Sequence, residues 1–381
     1  MAILETALSR PVLRWAIQES GLSLDDLAKS LKVDRATVES WLSLEERPNV
    51  TQFRRLAAAL KRPEAVFFMA SPPSLEGPTV QFRHSPGSVR KERNAAERRS
   101  VRDAARLQRA ARWLLRESEA VAVSRPVARL SEPPAAVAKR ARAWLGVTSV
   151  EQSEWTSASK ALRAWIAALE NLGVLVFSYA MGRESCRGFS LWDEYAPVVA
   201  LNTAYNAEAR MFTLFHEYGH ILTQTGSICA GWVTSEKADP AERWCEEFAA
   251  AVLLPASEFE AAIVTFGGVP DEEEAQLKLV GRLATRYKVS RRATTIRLIE
   301  LRYAGWDLYK ALPPLVDDKP KGGAPPDEPR DRFVLRSERY GQRAQALVAQ
   351  GLRADLISPT DALNLLDITV DDLSRLPRAA A

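Results

Sequence analysis

The segment His216-Glu217-Tyr218-Gly219-His220 constrains this chain more than any other stretch. It reads H-E-x-x-H, and Met211-Phe212-Thr213-Leu214 before it and Ile221-Leu222 after it give it apolar flanks at helical spacing. On an α-helix, residues i and i+4 stand one above the other on one face, so His216 and His220 can aim two imidazole nitrogens at one point. A tetrahedral zinc ion requires that arrangement. Glu217, one position round, can hold a water and take its proton, the general-base role in metal-assisted peptide hydrolysis. The competing reading is two satisfied histidines on an amphipathic helix. Against it, the chain has only 3 histidines, and two of them fall in this pentapeptide.

A third ligand should come from a nearby helix. Asp239 to Pro255 reads as one, with Asp239 as N-cap, Pro240 at the first helical position and Pro255 as terminator. Glu242 and Glu246 share a face of it. Glu242 can ligate the metal while Glu246 accepts the ring N–H of a ligating histidine and fixes its tautomer. The alternative for Glu242 is a capping-box carboxylate paired with Asp239. Glu247 is an alternative ligand, but it lies off the Glu242 face.

Phe212-Thr213-Leu214-Phe215 leading into HEYGH, followed by E-x-x-C-E-E-F-A-A-A-V-L-L-P from Glu242, resembles the ImmA/IrrE family of zinc-dependent peptidases. Its pattern runs F-T-L-x-H-E-x-x-H and then E-x-x-A-[ND]-x-F-A-x-x-L-L-x-P. The resemblance puts His216, His220 and Glu242 on the metal-ligand positions and Glu217 on the catalytic glutamate. Cys245 and Glu246 replace the usual Ala and Asn/Asp, which keeps an acceptor at 246 on a longer arm. Gly173–Phe177, Arg187–Ser190 and Pro197–Asn202 extend the similarity, so that it covers about residues 155–300. The implied cofactor is zinc, with manganese an alternative in activity.

Upstream, Leu22–Leu31 and Arg35–Leu42 read as two short helices around the turn Lys32-Val33-Asp34, with Ser23 as a cap. The pattern L-A-x-x-L-x-V-x-x-x-x-V-x-x-W is a helix-turn-helix outline and is similar to XRE-type (Cro/repressor-like) DNA-binding domains. If the second helix enters a major groove, Arg35, Thr37, Glu39 and Ser40 are the candidates for base or phosphate contact. Such folds also dock proteins, and this helix is poor in Arg, Asn and Gln. Both readings stand at this point.

After a Pro-rich linker, residues 83–116 carry 11 Lys/Arg against three acids, with Arg98, Arg102, Arg106 and Arg109 in a helical stripe. Such a stripe can track phosphates, form a solvated face or pair with acidic surface. His84 sits in a turn-like context and is assigned no metal role. Val174–Phe177, Gly188–Leu191 and Val198–Leu201 read as short strands. The strand at Pro197–Asn202 is either an edge that pairs with an extended peptide or a core strand. Tyr218, Arg187 and Tyr205 are candidate oxyanion stabilisers without a basis for choosing. Residues 279–301 repeat a helix-turn-helix outline, read here as the helical end of the peptidase fold and not as a second DNA reader. Lys310–Arg330 reads as a flexible linker, and Arg332–Leu376 as short amphipathic helices.

The organisation expected is 1–71 XRE-like domain, 72–150 basic helical linker region, 151–309 peptidase domain, 310–331 linker and 332–381 helical segment. The fold class expected is mainly α with a small β-sheet (α+β): a zincin-like core plus an N-terminal helix-turn-helix domain. Three cysteines without a C-x-x-C pair argue for a reducing compartment. No apolar run reaches the ~20 residues that span a bilayer, and Glu5 interrupts any secretory core near the N-terminus. The expected place is cytoplasmic, with no membrane partner. The resemblance implies a peptidase that cleaves a regulatory protein, an XRE-family transcriptional repressor by implication, in a stress, prophage or mobile-element response. The alternative is a DNA-binding regulator whose peptidase-like domain is a sensor or docking module, in a toxin–antitoxin-type pair or otherwise.

Overall fold

The computed structural model describes residues 8–20, 22–60, 62, 64–72, 95–118, 126–183, 185–225, 228–229, 240–313 and 331–377. His84, the Asp239 cap and most of the linker at 310–330 lie outside them. The chain is mostly helical with one small sheet, and it divides into two compact units, with the boundary at Asp103/Ala104 in the described part.

The first unit holds α1 (Arg10–Ser20), α2 (Leu24–Leu31), α3 (Arg35–Ser43) and α4 (Val50–Ala59), closed by a 3-10 turn at Glu64–Phe68. Ser23 caps α2 by accepting the Asp26 N–H. Lys32 turns the chain in the left-handed region (φ 58°), so α3 starts three residues later. Leu27, Leu31, Val38, Trp41, Phe53 and Leu56 meet in its core. α5 (Ala95–Glu117) begins in this unit and ends in the next.

The second unit continues with α6 (Pro134–Leu145), α7 (Ser149–Glu154), α8 (Ala158–Asn171), β1 (Leu175–Tyr179), β2 (Gly188–Leu191), β3 (Val198–Asn202) and α9 (Ala207–Leu222). After these come β4 (Ile228–Cys229), α10 (Pro240–Leu253), α11 (Ala256–Thr265), α12 (Glu273–Tyr287), α13 (Arg291–Glu300), α14 (Trp306–Ala311), α15 (Arg332–Arg353) and α16 (Pro359–Leu366). The sheet order is β1-β3-β2-β4. β3 is parallel to β1 and antiparallel to β2, and β4 is antiparallel to β2. The strand at Pro197–Asn202 is therefore central and not an edge. Val198-Val199-Ala200-Leu201 is apolar without alternation, the pattern of a strand buried on both faces, and all of β3 is buried.

α9 lies in the middle of the core: Met211, Leu214, Phe215 and Leu222 are buried, with Trp165 of α8 edge-on to Phe215 and Phe248 of α10 against Tyr218. The basic stripe of α5 is partly structural. Arg106 donates to the carbonyls of Asn364 and Leu365 in the last turn of α16, and Gln108 donates to Leu191 O on β2. Among the described residues no single helix is long and apolar enough to cross a membrane.

The C-terminal segment is fastened to the outer edge of β1. Leu175 N–H bonds toward β3 through Pro197 O, so the Val176 carbonyl faces away from β3. There α15 breaks at Gly341 (φ 69°, ψ 167°). A Cβ on Gly341 would lie 2.7 Å from Val176 O and overlap the Glu170 carboxylate. That carboxylate, at the end of α8, accepts the N–H groups of Gln342 (3.2 Å) and Arg343 (3.3 Å), donors that restarting the helix leaves unsatisfied. Burial pushes the Glu170 carboxyl from 4.5 up to about 7, against the opposing pull of the Arg343 and Gln342 amides and the Arg343 charge.

Two expectations follow. Gly341→Ala puts a side chain into a glycine-only conformation and into a carboxylate, and should cost about 3 kcal/mol or more, read from the urea midpoint. Glu170 binds its proton more tightly folded than unfolded, so its contribution is full below pH 4.5 and is lost as pH rises to about 7. Over that window it lowers stability by roughly 3 kcal/mol. Glu170→Gln should flatten this part of the stability–pH curve.

Candidate metal centre

Asn206 starts α9 by accepting the Ala209 N–H, and the helix then runs unbroken through the H-E-x-x-H segment. His216 and His220 sit on one face with Nε2 atoms 3.3 Å apart. Glu242, in the first turn of α10, brings Oε2 to 3.2 Å from His216 Nε2 and Oε1 to 3.4 Å from His220 Nε2. Among the described residues these three form the one group of His, Cys, Asp or Glu placed to share an ion.

Those distances test whether a metal fits. A tetrahedral zinc with ligands at about 2.0–2.1 Å sets its ligand atoms about 3.3–3.4 Å apart. The His216–His220 nitrogen pair matches that spacing, and each imidazole has one of the two Glu242 oxygens at 3.2–3.4 Å, so the three side chains can surround one ion. Burial pushes the Glu242 carboxyl up, but hydrogen bonds and charge from His216 and His220 outweigh it and hold the group well below the ordinary carboxylate range. Its anionic form is the ligating form.

Two helices must approach closely for this to happen. Gly219, between the histidines, faces α10: a Cβ there would lie 3.0 Å from Cys245 Sγ and 3.3 Å from a Phe248 ring carbon. The bare backbone at 219 lets α10 settle against α9 and carries Glu242 over the imidazoles. Cys245 is a buried packing residue at this contact. Glu217 is fully buried, with Cγ against β2 at Gly188. Glu247 is exposed on the far side of α10.

The residue on the outer nitrogen of His220 is one the sequence did not point to. Thr225 Oγ1 lies 2.9 Å from His220 Nδ1 and 2.8 Å from Thr223 Oγ1, which in turn donates to Gly219 O. Gln224 turns back in the left-handed region (φ 56°), and the Thr225 N–H then bonds to His220 O. The Thr-x-Thr pair just past the helix end was the available signal. Glu246 is half-buried one turn after Glu242. Of the oxyanion candidates, Tyr218 packs into the core, Tyr205 donates to Arg183 O, and Arg187 stacks on Tyr205.

At the other candidate site, Arg35 opens α3 between two carboxylates, Asp25 (3.1 Å) and Glu39 (2.8 Å). Ser40 donates to Thr37 O and Glu46. Arg35, Thr37, Glu39 and Ser40 thus lie together on α3, with the guanidinium charge balanced locally.

Metal titration by chelator competition checks the centre. Glu242→Gln should weaken binding about 100-fold or more, and Thr225→Val about tenfold through the misplaced His220 ring.

Residues 169–298 match the peptidase M78 family model, described as the IrrE N-terminal-like domain, and residues 13–67 match the helix-turn-helix model. The first span contains all three converging side chains and Glu217. No curated protein matches the chain.

Proposed function

We propose that this chain, which joins a helix-turn-helix domain to an IrrE N-terminal-like peptidase domain, is a metal-dependent peptidase that cleaves a regulatory protein to control gene expression. The observation that carries this reading is the convergence of His216, His220 and Glu242, each imidazole nitrogen 3.2–3.4 Å from a Glu242 oxygen, with Glu217 adjacent on the same buried helix.

His216 and His220, with Glu242, would hold the ion, and zinc suits two imidazoles and a carboxylate. A divalent ion there supplies Lewis acidity, polarising the scissile carbonyl and making water more acidic. Glu217 takes the proton of the attacking water and delivers it to the leaving amine nitrogen. Thr225 Oγ1, beside His220 Nδ1, would hold the ring in the tautomer that leaves Nε2 to take an ion. Glu246, on the Glu242 face, is the candidate to steady His216 in the same way. A peptidase domain joined to a helix-turn-helix domain points to a DNA-associated target, and a transcriptional repressor of the XRE type is the substrate class favoured here. A cytoplasmic location goes with that target.

A second reading, a DNA-binding regulator whose peptidase fold senses or docks, is favoured by the helix-turn-helix match at residues 13–67. In it, Arg35, Thr37, Glu39 and Ser40 meet the DNA.

The two separate in one assay. The full chain, loaded with zinc or manganese, is incubated with XRE-type repressors of the same cell, in parallel with Glu217→Gln. The expected result is cleavage by the wild type and a loss of about 10²–10⁴-fold in the variant with metal content unchanged. DNA binding with no cleavage under any metal would reject the peptidase reading.

A further inference from the structure

The α2–α3 segment of the helix-turn-helix unit, the part that would face a groove, lacks the charge that DNA backbones demand. Residues 24–46, covering α2, α3 and the turn beyond, hold three cations (Lys29, Lys32, Arg35) against six acids. Arg35 is already shared between Asp25 and Glu39. Nucleic-acid affinity rests first on cations that displace counterions from phosphates, and this surface offers a net negative charge instead.

A surface of the opposite sign lies on the peptidase domain. An open groove of about 910 Å³ runs along α12 and is lined by Lys278, Arg282, Arg286, Lys288 and Arg291, with Glu274 the one acid. Glu274 pairs with Lys278 at 2.7 Å. Lys278, Arg282 and Arg286 recur at four-residue steps, so their charges succeed one another about every 6 Å along the helix. The Arg282 guanidinium carbon sits over the Phe266 ring, 4.1 Å from its centroid, and Arg291 reaches back across Gly281, where no side chain stands in its way. Lys288 ends α12 in a left-handed turn (φ 58°), and its ammonium donates to the Thr285 and Arg286 carbonyls at the groove wall. This Lys-Val-Ser-Arg turn between α12 and α13 copies the Lys-Val-Asp-Arg turn between α2 and α3, where Lys32 has the same φ. The acids next to Arg35 have no counterpart beside Arg291 in the groove.

We propose that this groove is a nucleic-acid backbone site: the peptidase domain, through Lys278, Arg282, Arg286 and Arg291, grips the phosphates of double-stranded DNA without reading sequence. The absence of base reading follows from α13. Thr294, Thr295 and Arg297 of that helix are buried, and Arg297 is committed to Leu254 O and Glu300. α13 therefore has no free face to insert into a major groove, and contact stays with the backbone. A spaced row of guanidinium groups, one of them seated over an aromatic ring, suits phosphate oxygens. This differs from the sequence-level reading of residues 279–301 as only the helical end of the peptidase fold. It does not rest on peptide cleavage. Such a site would hold the peptidase near DNA-bound proteins.

The test uses the full chain and a labelled 30-base-pair duplex of arbitrary sequence, with affinity followed by anisotropy between 50 and 200 mM salt. Arg282→Gln/Arg286→Gln/Arg291→Gln should weaken binding about tenfold or more at 100 mM salt and reduce the slope of log K against log salt by about 2–3. A second variant, Lys278→Gln/Arg286→Gln, changes exposed positions only and should lose about half that slope, which keeps the test valid if the triple variant misfolds. Lys139→Gln/Lys160→Gln/Arg163→Gln removes equal charge elsewhere on the same unit and should change little. Equal losses in this control, or unchanged affinity and slope in both groove variants, would overturn the proposal. So would polyglutamate binding the groove as tightly as the duplex at equal salt, since that would mark an acidic protein as the occupant. A shift in affinity between unrelated duplex sequences that the groove variants abolish would overturn the claim of backbone-only contact.

Discussion

Everything in the peptidase domain answers to one electrostatic constraint: two imidazoles and two carboxylates are placed within an apolar core. Taking such groups out of water is costly unless each finds a partner. His216, His220 and Glu242 meet this by facing one another at 3.2–3.4 Å, and a cation at their centre would satisfy all three at once. The surrounding architecture follows. α9 must be central, because only a buried helix keeps competing water away. α10 must come close, because the carboxylate is carried on it. Gly219 and the small Cys245 allow that approach, and the aromatic ring of Phe248 seals it.

Local placement was readable from the chain because it depends on spacings of three, four or seven residues. The two histidines, the glutamate between them, the Pro240 start of α10 and the Ser23 cap all fall in that class. Glu242 was readable at longer range because its helix carries a recognisable apolar face. Other features needed three dimensions. β3 is central because β2 folds back onto it, and short strands do not announce their order. Thr225 reaches His220 only because Gln224 takes a left-handed turn, and the choice of that conformation by a glutamine leaves no mark in composition. Glu170 meets Gln342 and Arg343 across more than 170 positions of sequence, a distance over which no periodicity speaks.

The two helix-turn-helix outlines show how far a shared backbone turn can diverge in charge. Lys32 and Lys288 adopt the same φ in matching tetrapeptides, yet one turn leads into an acidic surface and the other into a basic groove. Shape alone therefore says little about what such a turn recognises. The side chains within one helical turn of it carry that information, and in α3 they neutralise the arginine that shape would offer to a partner.

The seat of α15 against β1 has a consequence for the solution behaviour of the protein. A parallel edge strand bare of cover offers outward carbonyls and amides to any passing extended chain, including that of another copy. By resting a helix break on Val176, the C-terminal segment denies that contact. Loosening it would therefore show first as concentration-dependent clumping, while the helical signal of the remaining domain was still intact.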